Sequence, residues 1–257
     1  MSRHGVRRTN QVRALRLPEL RGQTIFLVVE HKPVAIIVGA SRGLGFALVE
    51  EYLRRGWSVV ATERSGTSTR LQQLAHGSAG RLEVERLDID HPDQVDALRL
   101  RLHPRRFDLL FVNAGVGVRE TIADVSSDEF VRVMVTNALS PMRLVESLWA
   151  TVIDRGTIAV MSSGQGSVTN NDRGGFEIYR ASKTALNSLM RSFAARHRDG
   201  ARTLLLLAPG WVRTDLGGPD APLSVEESIP PLVGIVMAQD GRGGLQYLDY
   251  LGRTVPW

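Results

Sequence analysis

The chain has 257 residues, 43% of them hydrophobic, so it is long and apolar enough to bury the core of one α/β domain. It contains no cysteine, which excludes disulfide bonds, thiolate nucleophiles and cysteine-based metal sites. The net charge of +5 lies entirely in residues 1–32, because the remaining residues sum to zero charge.

Residues 1–32 form a basic N-terminal extension, which we predict to be poorly ordered. The extension carries six Arg and Lys32 against two acidic residues, with little apolar patterning before Ile25. Its one apolar run, Ile25–Val29, is far shorter than the roughly 20 residues that cross a bilayer. Three interpretations stay open: an arm that touches nucleic acid or a membrane, a targeting segment, or a plain extension, which we favour.

Charge and histidine spacing limit the partners that we expect. Because the rest of the chain is net neutral, a wide nucleic-acid footprint is not expected. We expect a cytoplasmic protein with neither a nucleic-acid nor a membrane partner. The six His residues are scattered without the spacing of metal ligands, so we expect no metal site.

From Pro33 onward, short apolar runs alternate with helical patterns. Val34–Val38 is a continuous apolar run, mostly β-branched, which is typical of a strand buried on both faces. Similar runs predict strands at Ser58–Thr62, Leu82–Leu87, Asp108–Val112, Gly156–Met161, Thr203–Leu207 and Leu245–Tyr247. Helical spacing predicts helices at about Gly43–Arg55, Pro92–His103, Ser127–Trp149, Tyr179–Arg198 and Val225–Met237. This alternation predicts one α/β domain over residues 33–257, a single doubly wound parallel sheet of Rossmann type with helices on both faces.

A glycine-rich loop, Gly39–Gly45, follows the first of these strands and opens a helix, where ligands of such sheets bind. Gly39 permits a tight turn, Gly43 lets a phosphate approach the backbone, and Gly45 allows close packing of helix and sheet. The helix N-terminus would then face a pyrophosphate with its free N–H groups. The candidate contacts also include Ser41, Arg42 and Leu44.

Tyr179 and Lys183 are four residues apart at the start of a predicted helix, so both side chains can point at one target. Lysine is rare here, because 30 of the 32 basic residues are Arg. A nearby ammonium favours phenolate, and we expect it to lower the pKa of Tyr179 toward working pH. The pair predicts acid–base chemistry, although two unrelated surface residues would give the same pattern.

Together with further markers, these motifs resemble the short-chain dehydrogenase/reductase family in their order and approximate spacing. The markers are the glycine loop, Asp88, Asn113-Ala114-Gly115, Asn137, Ser163, Tyr179-x-x-x-Lys183 and Pro209-Gly210. The resemblance runs from about Val34 to Trp257. Details such as Ser162-Ser163-Gly164 and the closing Pro256-Trp257 are most similar to the small carbonyl reductases related to sniffer and to the bacterial C-factor.

The resemblance implies an NAD(P)-dependent oxidoreductase that moves hydride between nicotinamide and a small carbonyl or alcohol. Tyr179 would be the general acid/base, Lys183 would lower its pKa and hold the nicotinamide ribose, and Ser163 would bind the substrate oxygen. Asn137 would kink its helix and anchor a water that links Lys183 to solvent. A homodimer or homotetramer, formed through the predicted helices at 127–149 and at Tyr179, is also implied.

Besides the glycine loop, the resemblance implies cofactor contacts in three loops. The adenine would lie between Asp88 and Ile89, and the adenosine side would touch Asn113, Ala114 and Gly115. The loop after the strand at Thr203–Leu207 would contribute Pro209 and Gly210, with Val212 and Thr214 at the carboxamide.

Three features set this chain apart within the resemblance. Val38 stands where the family usually has a Thr whose hydroxyl braces the glycine loop, so that brace must be absent or replaced. The gap from Ser163 to Tyr179 is longer than usual and leaves an extended loop beside the substrate. The segment after Thr214 is short and contains no long apolar lid, which favours an open site for small or varied carbonyls.

Either NADP(H) or NAD(H) could be the cofactor, because acidic and basic residues both follow the second strand. An acidic side chain there would bind the ribose hydroxyls of NAD, whereas Arg would accept the 2′-phosphate of NADP. Glu63 and Arg64 supply one of each, and Arg42 adds a second guanidinium. We favour NADP(H), with Glu63 turned outward to solvent or paired with an arginine, and NAD(H) stays possible.

An alternative function is a dinucleotide-binding regulatory or signalling protein with little or no turnover. The C-factor-like resemblance and the missing Thr motivate it. The intact set of Asn137, Ser163, Tyr179 and Lys183 favours the enzyme, since a pure binding module has no use for all four.

Overall fold

The computed structural model describes residues 12–16, 26–66 and 69–257 and divides into two units, Met1–Pro33 and Val34–Trp257. In the first unit, strands β1 (Val12–Arg16) and β2 (Phe26–Glu30) pair antiparallel, with Val12 opposite Glu30. The prediction that the extension is poorly ordered also covers residues 1–11 and 17–25, which lie outside the described residues.

The second unit contains a seven-stranded sheet in the order β5-β4-β3-β6-β7-β8-β9, with every neighbouring pair parallel. The strands are β3 (Val34–Val38), β4 (Ser58–Glu63), β5 (Leu82–Arg86), β6 (Phe107–Val112), β7 (Val152–Met161), β8 (Thr203–Ala208) and β9 (Gly244–Asp249). The predicted doubly wound sheet is confirmed. The strand order reverses between β3 and β6, and ligands bind at such a switch point, beyond the carboxyl ends of the strands.

Seven α-helices connect the strands in the described part of the chain. They are α1 (Gly43–Arg54), α2 (Thr69–Gly77), α3 (Pro92–Leu102), α4 (Ser127–Met134), α5 (Ser140–Leu148), α6 (Glu177–Arg196) and α7 (Val225–Ala238). The sequence pattern did not predict α2. A π-helical turn, Val135–Leu139, joins α4 to α5, so the predicted helix at 127–149 is continuous but irregular. Among the described residues, no helix is long and apolar enough to cross a membrane.

Alternate residues of each strand enter two separate core layers, one on each face of the sheet. Ile36 and Val38 of β3 pack in a layer with residues of α3, α5 and α6. Ala35 and Ile37 pack in the opposite layer with residues of α1 and α7. With both faces covered in this way, the loops at the carboxyl edge of the sheet are left as the place for a ligand.

Candidate active site

Four loops that carry the predicted motifs meet at the carboxyl edge of the sheet. The glycine loop follows β3, Asn113–Gly115 follows β6, Ser162 and Ser163 follow β7, and Pro209-Gly210 follows β8. Because β3, β6, β7 and β8 are consecutive neighbours in the sheet, these loops lie side by side.

The glycine loop is folded tightly against the end of β6. A Cβ atom at Gly45 would lie 2.0 Å from the Gly39 oxygen and 2.7 Å from Asn113 Nδ2, so only glycine fits there. Asn113 Nδ2 donates a hydrogen bond to the Gly39 oxygen (3.0 Å), and Ala114 packs against Gly39. The side chain of Arg42, at the start of α1, does not cap the helix, which leaves its first N–H groups for a phosphate. The residues present therefore fit a dinucleotide.

Thr62 supplies the brace that Val38 cannot. Its hydroxyl accepts a hydrogen bond from the Gly39 N–H (3.2 Å), and its main-chain oxygen accepts one from the Ala40 N–H (2.8 Å). Thr62 is buried at the end of β4, the neighbour of β3. The missing brace is thus replaced by a threonine from another strand, a residue that the motif pattern did not single out.

We expect Thr62→Val to weaken cofactor binding roughly three- to tenfold, since it leaves the Gly39 N–H without its acceptor at almost constant volume. The turnover number at saturating cofactor should change little. Titration of NADPH fluorescence gives the dissociation constant. Ser147→Ala is a control, because the buried Ser147 hydroxyl has no hydrogen-bond partner. An unchanged dissociation constant in Thr62→Val would show that the contact does not shape the loop.

Ser163 and Tyr179 are joined through their hydroxyl groups. Tyr179 lies in the first turn of α6, half-buried, and the Ser163 side chain hydrogen-bonds its hydroxyl. Ser163 Oγ also accepts a hydrogen bond from the Gln165 N–H (3.1 Å) at the start of a short 3₁₀ turn, Gly164–Gly166. With an acceptor site of the oxygen occupied in this way, the Ser163 hydroxyl can donate its hydrogen to Tyr179.

Lys183 lies one turn beyond Tyr179 and is only 3% exposed. Its Nζ donates to the Met161 main-chain oxygen (2.9 Å) and lies 5.9 Å from the centre of the Tyr179 ring. Burial lowers the pKa of Lys183 to about 8, because the ammonium loses its hydration.

The expected lowering of the Tyr179 pKa is wrong for the protein without cofactor. Burial raises the pKa of Tyr179 to about 12, and the hydrogen bond from Ser163 opposes this only in part. The Lys183 ammonium does not offset the burial, since it is directed at the Met161 oxygen. Tyr179 is therefore a protonated phenol at neutral pH.

Asn137 lies in the π-helical turn and is fully buried. Its Oδ1 accepts from the Val116 N–H (2.8 Å), and its Nδ2 donates to the Val116 oxygen (2.8 Å) and to Ser182 Oγ (2.9 Å). A Cβ at Gly115 would lie 3.3 Å from Asn137 Oδ1 and 3.5 Å from Lys183 Nζ. The amide thus clamps the loop after β6 to α6, beside Lys183.

The predicted adenine contacts follow β5. The Asp88 N–H donates to Gln94 Oε1 (2.9 Å), and the Asp88 carboxylate accepts from the Asp90 N–H (3.1 Å). Ile89 is buried in the layer that contains α3. These bonds fix the main chain at the end of β5.

The loop after β8 is anchored to α7 and closed on itself. The Pro209 oxygen accepts from Ser228 Oγ (2.7 Å), and Gly210 lies against the ring of Tyr250. Thr214 Oγ1 donates to the Val212 oxygen (3.3 Å) and accepts from the Gly217 N–H (3.1 Å). Thr214 also lies opposite Gly43, which places this loop next to the glycine loop.

The charged residues predicted to face the adenosine of the cofactor differ sharply in exposure. Glu63 is 2% exposed and lies at the end of β4, opposite Arg86 of β5, so the prediction that it turns outward to solvent is wrong. Arg64 is exposed. Arg42 forms an ion pair with Asp215 (2.8 Å) across the cleft, with both side chains more than three-quarters exposed. An exposed pair of this kind is weak, so a phosphate can displace Asp215 from Arg42.

Comparison with known proteins agrees with this geometry. Residues 33–222 match the short chain dehydrogenase family. C-signal of Myxococcus xanthus is 35% identical over 153 residues, which are 58% of this chain and 92% of that protein. A short-chain dehydrogenase/reductase from Burkholderia multivorans with bound NADP is 54% identical, with a TM-score of 0.87 over 88% of this chain and all (100%) of that one.

A carbonyl reductase from Pseudomonas aeruginosa PAO1 in complex with NADP is 38% identical, with a TM-score of 0.82, and covers 88% of this chain and 100% of that chain. The carbonyl reductase Sniffer of D. melanogaster is 28% identical, with a TM-score of 0.80 and coverage of 88% and 100%. The resemblance inferred from the motifs is confirmed. The chain belongs to the short-chain dehydrogenase family of NAD(P)-dependent oxidoreductases.

Proposed function

We propose that this protein is an NADPH-preferring carbonyl reductase in which Ser163, Tyr179, Lys183 and Asn137 serve the chemistry. One observation carries the proposal. A serine hydroxyl hydrogen-bonds a protonated tyrosine one turn before a buried lysine, at the sheet edge that holds the glycine loop.

The residues divide the work of reduction between them. The bound cofactor supplies the hydride. Ser163 donates a hydrogen bond to the substrate oxygen, and Tyr179 transfers its proton to that oxygen as negative charge develops on it. A pKa of about 12 suits an acid that must hold its proton until then. Below pH 8, the Lys183 ammonium stabilises the phenolate that remains.

Asn137 supports the position of Lys183 through the loop after β6. Its amide holds the main chain at Val116, and thereby Gly115, next to Lys183. The water that the family resemblance assigns to Asn137 would then rest on its main chain, because both amide hydrogens are used within the protein.

The apolar mouth of the site supports small or varied carbonyl substrates. Phe176 precedes α6 by one residue, and the loop after β8 presents Trp211 and Leu216, all three exposed. Leu216 lies directly over Gly117 of the loop after β6. These side chains offer apolar contact around the carbonyl without a long lid that would select one chain length.

The preference for NADPH is supported by charge and by relatives. Arg42 and Arg64 are exposed at the adenosine end, whereas the Glu63 carboxylate is buried. Structures of two similar proteins contain NADP. Two guanidinium groups can bind a 2′-phosphate through charge-assisted, bidentate hydrogen bonds.

For the wild type, we expect kcat/KM to be higher with NADPH than with NADH, and Arg64→Ala to reduce that ratio roughly 10- to 100-fold. The reason is the loss of a charge-assisted contact to the phosphate, worth about 1.5–3 kcal/mol. Glu63→Gln should raise the ratio, since it removes a negative charge. Arg99→Ala, an exposed arginine of α3, is the matched control. A wild-type preference for NADH would contradict the proposal and make Glu63 the ribose ligand.

The activity itself is tested with a panel of aldehydes, ketones and diketones. Each compound is assayed with NADPH and with NADH, and the absorbance of the nicotinamide measures its reduction. Reduction of any member excludes a protein that only binds the dinucleotide. Failure of every member, with tight cofactor binding retained, would favour the regulatory function instead.

We also propose, as the sequence predicts, a cytoplasmic homodimer or homotetramer that pairs through the helical stretch from α4 to α5 and through α6. Leu139, just before α5, and Leu189 of α6 are exposed apolar side chains that support such pairing. Light scattering that shows a monomer at micromolar concentration would contradict this assembly.

A further inference from the structure

Tyr247 lies behind the candidate site and belongs to none of the motifs. It stands on β9, the edge strand of the sheet, and is 2% exposed. Its hydroxyl donates a hydrogen bond to the main-chain oxygen of Ser163. The contact links the last strand of the domain to the residue whose side chain bonds Tyr179.

A second set of bonds holds the other end of the same turn. Asn187, one helical turn beyond Lys183, donates through Nδ2 to the Gly166 oxygen (3.1 Å), and Thr184 Oγ1 donates to the same oxygen (3.1 Å). Ser162 Oγ donates to Asn187 Oδ1 (2.6 Å). The Tyr247 hydroxyl also lies close to the side chains of Asn187 and Ser162. The first and last residues of the Ser163–Gly166 turn are thus fixed by hydrogen bonds from β9 and from α6, which together we call the turn network.

Close packing leaves this turn little freedom. A Cβ atom at Gly166 would lie 2.8 Å from Asn187 Nδ2 and 3.1 Å from the Cβ of Lys183, so the turn rests directly on α6. Buried networks whose members are all hydrogen-bonded rigidify the groups they join. The Ser163 main chain is held in addition by the Tyr247 hydroxyl.

We propose that Tyr247 is a positioning residue for the reaction, whose hydroxyl holds the Ser163 main chain so that the Ser163 side chain stays directed at Tyr179 and the substrate oxygen. Tyr247 acts only through Ser163. The inference rests on the proposed role of Ser163 and goes beyond it by assigning a function to β9, which holds none of the predicted site residues.

The test compares Tyr247→Phe with Tyr52→Phe. Both remove one hydroxyl from a buried tyrosine, but the Tyr52 hydroxyl has no hydrogen-bond partner. We expect Tyr247→Phe to lower kcat for carbonyl reduction roughly tenfold, because small misplacements of a reacting group are costly. The dissociation constant for NADPH should stay the same, and Tyr52→Phe should behave as wild type. An unchanged kcat in Tyr247→Phe would overturn the proposal, as would an equal loss of kcat and cofactor affinity.

A double-mutant cycle separates positioning from general damage. If Tyr247 acts through Ser163, then Tyr247→Phe should have no further effect on kcat in a Ser163→Ala background, whereas additive losses would overturn the proposal. If Ser163→Ala alone leaves turnover unchanged, the role proposed for Ser163 is wrong, and the inference about Tyr247, which rests on that role, is wrong as well. A loss in Ser163→Ala without a loss in Tyr247→Phe refutes only the role of Tyr247. Should Tyr247→Phe not fold, Ser162→Ala tests the same network and should lower kcat with unchanged NADPH binding.

Discussion

Tyr179→Phe should lower kcat for carbonyl reduction by roughly 10²–10⁴-fold, the usual contribution of a positioned general acid. The phenyl ring keeps the packing of the first turn of α6, but no proton can then be transferred to the developing alkoxide. Ser163 loses its hydroxyl partner on Tyr179 and still accepts from the Gln165 N–H, so the turn that carries it should remain in place.

Steady-state kinetics with a reducible aldehyde measure this effect, and NADPH fluorescence measures cofactor binding in the same variant. We expect the dissociation constant to change less than about threefold, because the glycine loop and its Thr62 brace do not touch the Tyr179 hydroxyl. Tyr52→Phe again provides the control for loss of a buried hydroxyl. Near-normal turnover of every substrate by Tyr179→Phe would rule out Tyr179 as the acid.

Lys183→Met should abolish most turnover and at the same time stabilise the fold at neutral pH. The Lys183 ammonium is buried with one hydrogen bond, to the Met161 oxygen, and its pKa of about 8 lies below the ordinary value of 10.5. The native state therefore binds fewer protons than the unfolded state between about pH 8 and 10.5. Across this window the unfolding free energy of the wild type should rise by an amount of the order of 3 kcal/mol relative to that of Lys183→Met. Buried tyrosines whose pKa is raised, such as Tyr179, contribute equally to both proteins.

Chemical denaturation at pH 7, 9 and 10.5 measures the change in unfolding free energy, with the wild type and Lys183→Met compared at each pH. Equal pH dependence in the two proteins would show that Lys183 is not the buried group that titrates. Activity adds an independent check. Since Tyr179 stays protonated to about pH 12, the alkaline fall of kcat/KM should be centred near pH 8, where Lys183 loses its charge. Constant kcat/KM up to pH 10 would contradict this assignment.

The fold could be predicted from the sequence because its signals are local. Buried strands such as Val34–Val38 are continuous apolar runs, and the alternation of such runs with helical spacing admits few topologies. Helix α2 was not predicted because its nine residues, TRLQQLAHG, are mostly polar and carry only a short apolar stripe. The glycine loop and the Tyr179–Lys183 pair could be placed for the same reason, since each lies within a single loop or helical turn.

The supporting residues could not be predicted, because their contacts join distant parts of the chain. Thr62 reaches Gly39 from the neighbouring strand β4, and Tyr247 reaches Ser163 from the far edge of the sheet, so neither forms a motif. The burial of individual side chains could not be predicted from the sequence either. The spacing of Tyr179 and Lys183 suggested a lowered tyrosine pKa, but loss of hydration outweighs the charge in the folded protein. Glu63, similarly, is at the end of a strand in sequence but beneath the surface in space.

A π-helical turn holds one residue more than an α-helical turn, so Val135–Leu139 is equivalent to a one-residue insertion in an otherwise regular helix. Each added residue rotates what precedes it by roughly 100° about the helix axis. A relative that lacks one residue between Met134 and Ser140 would have an uninterrupted helix and could keep the same fold. The side-chain amide of the residue equivalent to Asn137, however, would no longer contact both Val116 and Ser182. Gaps in an alignment at this point, more than substitutions of Asn137, should therefore mark the members of this family in which the clamp has been lost.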